Sequence, residues 1–159
     1  MTRVFAGDVH VDYSQAYVQA PGMHGYSPEA AFAGQVNGLC GAQLPGLLFL
    51  TTGLHTGRVS FTVDVLDTEP PAEEQSWEDV VEVSFTTPTP QVLLMGWGGG
   101  SRATLPLGAV GTFRVRYSAR GMDAGRAADT RGAGEPELDR YALQFWAPPA
   151  ADLVVRQAS

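Results

Sequence analysis

Seven carboxylates fall between positions 67 and 82: Asp67, Glu69, Glu73, Glu74, Glu78, Asp79 and Glu82, with no basic residue among them. Such a run repels nucleic-acid phosphate and attracts a basic protein surface. A second concentration of charge lies in "RGMDAGRAADTRGAGEPE" (120–137), where Asp123, Asp129, Glu135 and Glu137 interleave with Arg120, Arg126 and Arg131. Its glycines, Gly121, Gly125, Gly132 and Gly134, make the segment supple, and its charges nearly cancel, so partial self-pairing is expected. Arg120, Asp123 and Arg126 join the acidic run as candidate residues for recognising a protein partner. A general base, a nucleophile and an orienting group do not occur together in either segment, so catalysis is not expected.

Other chemistries find less support in the residue types. Asp64 and Asp67 with Asp123 and Asp129 are two pairs that a folded chain could turn into a calcium cup. Calcium takes about six or more oxygens, however, and the neighbouring arginines oppose a cation. His10, His24 and His55 are scattered, with neither HExxH nor a paired Cys/His arrangement. No metal and no cofactor is expected. "GWGGGS" (96–101) lacks the lysine and following helix of a phosphate loop and reads as a hairpin end. Cys40 is the sole cysteine, so no intrachain disulfide forms, and a small buried hydrophobe is its expected role. Trp77, Trp97 and Trp146 could line a sugar platform, and Trp146 falls on the polar register of its strand.

The 159 residues have the length of one domain, and a single domain over 1–159 is expected. Charged residues make up only 17% of the chain, which argues against disorder, and 19 Gly with 11 Pro imply many turns. The net charge of −7 is uneven: two basic residues face eleven acids through position 100, near −9, and eight face six afterwards, near +2. All ten basic residues are Arg, a bias that informs on genome composition rather than on chemistry. The N-terminus lacks the apolar stretch of a signal peptide and no window suits a membrane span, so cytoplasmic residence without membrane or nucleic-acid partners is expected.

The elements that must position these residues are strands. Alternation is clear in "GRVSFTVDVLDT", where Val59, Phe61, Val63 and Val65 oppose Arg58, Ser60, Thr62 and Asp64. The same division recurs at 80–85, 112–118 and 141–146, with Arg114 and Arg116 assigned to a wet face opposite Asp64 and Glu82. "DVHVDYSQAYVQ" (8–19) reads as one strand with Val9, Val11, Tyr13 and Tyr17 on one side. "LLFLTT" and "QVLLMGW" are apolar on both sides, and "ATLPL" and "LVV" are shorter candidates. One helix is expected, over 27–36, with Ser27 as N-cap and Pro28 at the first position. Residues 121–138 are expected to form a long loop. With eight or nine strands and no αβ alternation, the prediction is all-β: an antiparallel two-sheet sandwich of jelly-roll or immunoglobulin-like character.

Three of these segments, "VHVDYSQAYV", "LPLGAVGTFRVRY" and "LDRYALQFW", resemble the competence protein J family of small bacterial proteins that inhibit a DNA-entry nuclease. The "VRYSARGMDAGRAADT" segment is also similar to small actinobacterial β-proteins. The first resemblance implies a non-enzymatic, protein-binding chain that covers the active site of a basic nuclease or toxin, as an immunity protein does. It carries over no individual binding residue. The alternative is a β-sandwich module for a small ligand or a carbohydrate.

Overall fold

Alternating valine and aromatic residues fold this chain into two sheets of five strands with one hydrophobic core between them. The computed structural model describes residues 1–23, 27–71, 76–96, 102–132 and 134–147. Among them are ten strands: β1 (Thr2–Val11), β2 (Gln15–Gln19), β3 (Cys40–Gly41), β4 (Leu47–Thr51), β5 (Gly57–Leu66), β6 (Asp79–Thr87), β7 (Gln91–Gly96), β8 (Arg102–Pro106), β9 (Gly111–Arg120) and β10 (Arg140–Trp146). The first sheet has the order β1-β5-β10-β9-β6, and the second β3-β4-β2-β7-β8. Val59, Phe61, Val63, Val81, Val83, Phe85, Val115, Tyr117, Tyr141, Leu143 and Phe145 all point inward, as their period of two requires. The "LVV" candidate at 153–155 lies outside the described residues.

Among the named strands of the described residues, pairing is antiparallel except at one place. β10 enters between β9 and β5 and runs parallel to β5, with Leu143 opposite Val63. Alternation fixes which face a residue occupies but not strand direction, so this departure from a purely antiparallel sheet left no trace in the pattern.

The segment expected as one strand over 8–19 is two. A turn at Asp12–Gln15 carries the chain from β1 in the first sheet to β2 in the second. Tyr13 and Ser14 take left-handed φ values of 57° and 58°, which throws Tyr13 out to 55% exposure instead of inward beside Val9 and Val11. The expected helix shrinks to α1 (Pro28–Ala31), where Ser27 Oγ accepts the Ala30 N–H at 3.2 Å. α1 covers the outer face of the second sheet, where Ala31, Tyr17, Leu47 and Phe49 form a small apolar cluster with Met23, Phe32 and Leu44. Residues 121–138 are not all loop: α2 (Met122–Ala128) follows Gly121 directly. Gly121 has φ 77°, and a Cβ there would lie 2.1 Å from the Leu138 carbonyl oxygen, so only glycine can turn the end of β9 into this helix.

Candidate functional site

The outward face of the first sheet brings the charged residues together in rows fixed by strand register. One row crosses all five strands: Arg3 opposite Asp64, Asp64 opposite Gln144, Gln144 opposite Arg116, and Arg116 opposite Glu82. Its ends are ion-paired. Arg3 meets Asp64 through two hydrogen bonds of 2.9 and 3.2 Å, and that contact raises the Arg3 guanidinium above its ordinary value. Arg116 donates to Glu82 from Nε at 3.0 Å and approaches it from Nη2 at 2.9 Å, while Arg114 Nη2 stands 3.7 Å from the other Glu82 oxygen.

This face was expected to be wet, and along its centre it is not. Arg116 is only 5% exposed, and Arg114, Ser118 and Asp64 are buried beside it. The cause is the connection between β5 and β6, which returns across the sheet. Arg116 Nη1 donates to the Pro71 carbonyl at 2.6 Å, and Pro70, Pro71 and Trp77 line a cleft of about 340 Å³ with Arg3, Asp64, Arg116 and Ser118. Trp146, expected to be exposed, is 2% exposed. It does lie on the outward register, but the Arg116 guanidinium stands 5.7 Å from its ring and Arg114 flanks it in register, so arginine stems cover the indole.

The next row is small: Ala6, Thr62, Ala142, Ser118 and Val80. Beyond it lies a row of Asp8, Ser60, Arg140 and Arg120, where two guanidinium-bearing residues stand directly opposite each other. Here the face opens again, into one cleft of about 260 Å³ lined by Ser60, Thr62, Ser76, Trp77, Arg120 and Arg140, and one of about 510 Å³ lined by Glu78, Arg120, Gly121, Glu137, Leu138 and Arg140.

The predicted site residues divide between two places. Glu78 and Asp79 stand at the start of β6, beside Arg120, Asp123 and Arg126 at the end of β9 and on α2; Glu78 Oε1 accepts the Gly121 N–H at 2.6 Å and ties the two segments together. Asp67 and Glu69 lie past the opposite end of β5, exposed. Glu73 and Glu74 fall outside the described residues, as do His24, Trp97 and most of "GWGGGS". Within the late segment the charges pair locally, as expected: Arg126 with Asp123 at 2.9 Å, Arg140 with Glu137 at 3.2 Å, and Arg131 with the carbonyls of Glu135 and Arg58.

The four aspartates considered for calcium do not converge, since Asp64 belongs to Arg3 and Asp123 to Arg126. Among the described residues no three potential metal ligands gather. His10 faces Asp12 at 3.5 Å and His55 Nδ1 contacts Thr56 Oγ1 at 2.7 Å; neither lines the three clefts of this face. Cys40 is fully buried, and burial pushes its thiol far above the ordinary range, so it is no nucleophile at neutral pH.

Two residues that sequence reasoning passed over hold this end of the molecule together. The Tyr141 hydroxyl donates to Asp139 Oδ2, which also accepts the Leu54 N–H at 3.0 Å, and the Tyr141 oxygen accepts the Gly53 N–H at 2.7 Å. Burial first, and then the charge of Asp139, push the Tyr141 phenol well above its ordinary value. α2 presses so closely on this network that a Cβ at Gly53 would lie 2.3 Å from the Met122 carbonyl oxygen. Asp139 sits directly before β10 and Tyr141 within it, so an acid and an aromatic at spacing two, at the mouth of a buried strand, were the available signal.

The architecture defines an all-β protein of two five-stranded sheets with a shared core. Among solved structures it is similar to ComJ, inhibitor of the DNA degrading activity of NucA, from Bacillus subtilis: TM-score 0.57 over 92% of this chain and 97% of that one, at 14% identity. A second likeness is to the crocagin biosynthetic gene J protein, with TM-score 0.47, 14% identity, and coverage of 91% and 98%. At such identity the resemblance is a distant one, of fold. No family model and no curated protein sequence matches the chain.

Proposed function

We propose that this chain is a non-enzymatic, protein-binding module: one β-sandwich domain over 1–159, residing in the cytoplasm and inhibiting a basic nuclease or toxin. The observation that carries the reading is the likeness of fold to a nuclease inhibitor over nearly the whole of both chains. Two features support it. The exposed acids Asp67 and Glu69 at one end of the sheet, and Glu78 and Asp79 at the other, add negative charge, and complementary charge steers a basic nuclease into contact. The described histidines, the thiol and the buried Tyr141–Asp139 pair supply no accessible nucleophile with its base.

The test is DNA degradation by purified NucA, and by any nuclease encoded beside this chain's gene, with and without added chain. Stoichiometric inhibition that weakens by roughly tenfold or more between low and high salt is expected. Glu78→Gln with Asp79→Asn, and Glu73→Gln with Glu74→Gln, should each weaken it further. Undiminished nuclease activity would overturn the inhibitor reading; inhibition indifferent to salt and to these substitutions would remove the acidic surface from it. Burial removes Trp146 from the sugar platform of the carbohydrate alternative, whereas the open clefts around Trp77, Arg120 and Arg140 support small-ligand binding as a second reading.

A further inference from the structure

The two arginine rows of the first sheet differ in one respect. In the first, Arg116 holds Glu82, which Arg114 of the adjoining register also approaches, and Arg3 holds Asp64, so each cation of the row has its anion. In the second, Arg120 and Arg140 face each other across β9 and β10. Like charges directly opposite are unfavourable in an antiparallel pair. The acids nearby do not resolve the conflict: Glu137 is taken by Arg140, Asp123 by Arg126, and Glu78 turns one oxygen to the Gly121 amide. Arg120 is exposed and makes no ion pair among the described residues.

The space beside this pair is shaped for a guest. Thr62, from the low row of Thr62, Ala142 and Ser118, borders this cleft beside the long arginine side chains. Ser60, Thr62 and Ser76 bring hydroxyls to the same cleft as the two arginines, and Trp77 brings an indole. Guanidinium groups match planar oxyanions with forked hydrogen bonds, hydroxyls add single donors, and an indole wall accepts the apolar body behind the charge. The geometry points to an oxyanion site between Arg120 and Arg140, for a carboxylate or a phosphate ester carrying a small apolar group. It does not require the inhibitor reading, although Arg120 is also a candidate partner residue and Glu78 borders the same cleft; a free anion tests it without any nuclease.

The experiment is an NMR titration of the isotopically labelled full chain at fixed ionic strength, with sodium acetate in one arm and inorganic phosphate in the other. Saturable shifts are expected at the Arg120 and Arg140 side chains, the Trp77 indole and the Ser60 and Thr62 amides, in the millimolar range typical of a small unanchored anion. Arg120→Gln and Arg140→Gln should each weaken binding roughly tenfold, the usual worth of one charge-assisted contact. Arg58→Gln, at an exposed arginine outside the clefts, should leave it unchanged. Glu137→Gln frees Arg140 from its internal partner and should tighten binding several-fold, a gain that damage to the fold cannot mimic. Response to acetate alone assigns a carboxylate ligand, and response to phosphate alone a phosphate ester. Shifts that do not saturate, or that persist in Arg120→Gln and Arg140→Gln, mean an adventitious ion only and overturn the site, whatever the outcome with nucleases.

Discussion

The two outer faces of this molecule are closed in opposite ways. On the second sheet, Tyr17 and Phe49 meet edge to face at 5.1 Å, Phe32 joins Phe49 at 5.6 Å, and the short α1 lays Ala31 over them. On the first sheet a proline-bearing connection lies over Arg116 and Asp64 and accepts from Arg116 through the Pro71 carbonyl, while Glu82 holds Arg116 from the neighbouring strand. Apolar closure is non-directional and leaves nothing to exchange with a ligand. Polar closure is conditional, since each buried charge keeps its place only while its partner stays. The open clefts discussed above lie on the polar side, where Ser76 and Trp77 of the connection border Arg120 and Arg140 without closing over them.

The largest effects come from breaking each closure at its centre. Arg116→Ala strands the Glu82 carboxylate under the covering connection, with only Arg114 at 3.7 Å to answer it, and should cost about 3–5 kcal/mol in chemical denaturation. Phe49→Ala opens a cavity beneath α1 and should cost about as much, about 3–5 kcal/mol. The comparison is sharpened by what relieves the damage. Arg116→Met with Glu82→Leu should recover most of the loss on the polar side, because an apolar pair of similar volume needs no partner. If that double variant stays as unstable as Arg116→Ala, the charges are not what closes this face.

Much of the fold was legible, and the reason is periodicity. Val59 to Val65, Val81 to Phe85 and Tyr141 to Phe145 each read inward or outward correctly, because a two-residue repeat has only two phases and a buried core selects one. What failed was everything decided by a third body. Trp146 and Arg116 were assigned to the right face, yet their burial depends on a connection that comes from a distant part of the chain. Tyr13 was assigned inward because its parity matched Val9 and Val11, and a tight turn without glycine resets that parity. α2 was missed because Gly121 and Gly125 look like loop residues; their real role is to let the helix approach Leu138 and Leu54. Of the site, Glu78 and Arg120 could be named from charge alone, but their junction through the Gly121 amide could not. Arg140 was invisible, since its opposition to Arg120 exists only once β9 and β10 are paired in register.

A polar contact buried beneath both faces separates polarity from exposure. Tyr141, with its hydroxyl on Asp139 and the Gly53 amide, is almost wholly enclosed. Tyr141→Phe leaves the Gly53 N–H without an acceptor and takes a donor from Asp139, and should cost about 1–3 kcal/mol. The folded phenols of Tyr141 and Tyr117 and the Cys40 thiol are all raised above their ordinary values. Above those ordinary values of 9.0 for the thiol and 10.0 for the phenols, the unfolded chain releases protons that the folded one retains. The contribution of these groups is therefore fully present below about pH 9 and is lost as pH rises beyond it. Tyr141→Phe should make that alkaline decline shallower while lowering stability at pH 7. A decline equally steep in the variant would place the titrating groups elsewhere.

The smallest effect tests how much the apolar closure depends on its cover. Ser27 caps α1 through a single exposed hydrogen bond to the Ala30 amide, and Ser27→Ala should cost about 0.5–1 kcal/mol. Because α1 has four residues, its geometry comes from packing on Phe49 and Leu47 more than from its own hydrogen bonds. Hydrogen exchange should accordingly quicken at the Ala31 and Phe32 amides and remain slow in β4, which β2 pairs along its length and β3 at Phe49 and Leu50. Faster exchange throughout β4 would show that a polar cap, and not aromatic packing, secures this face, and the contrast between the two outer faces would fail.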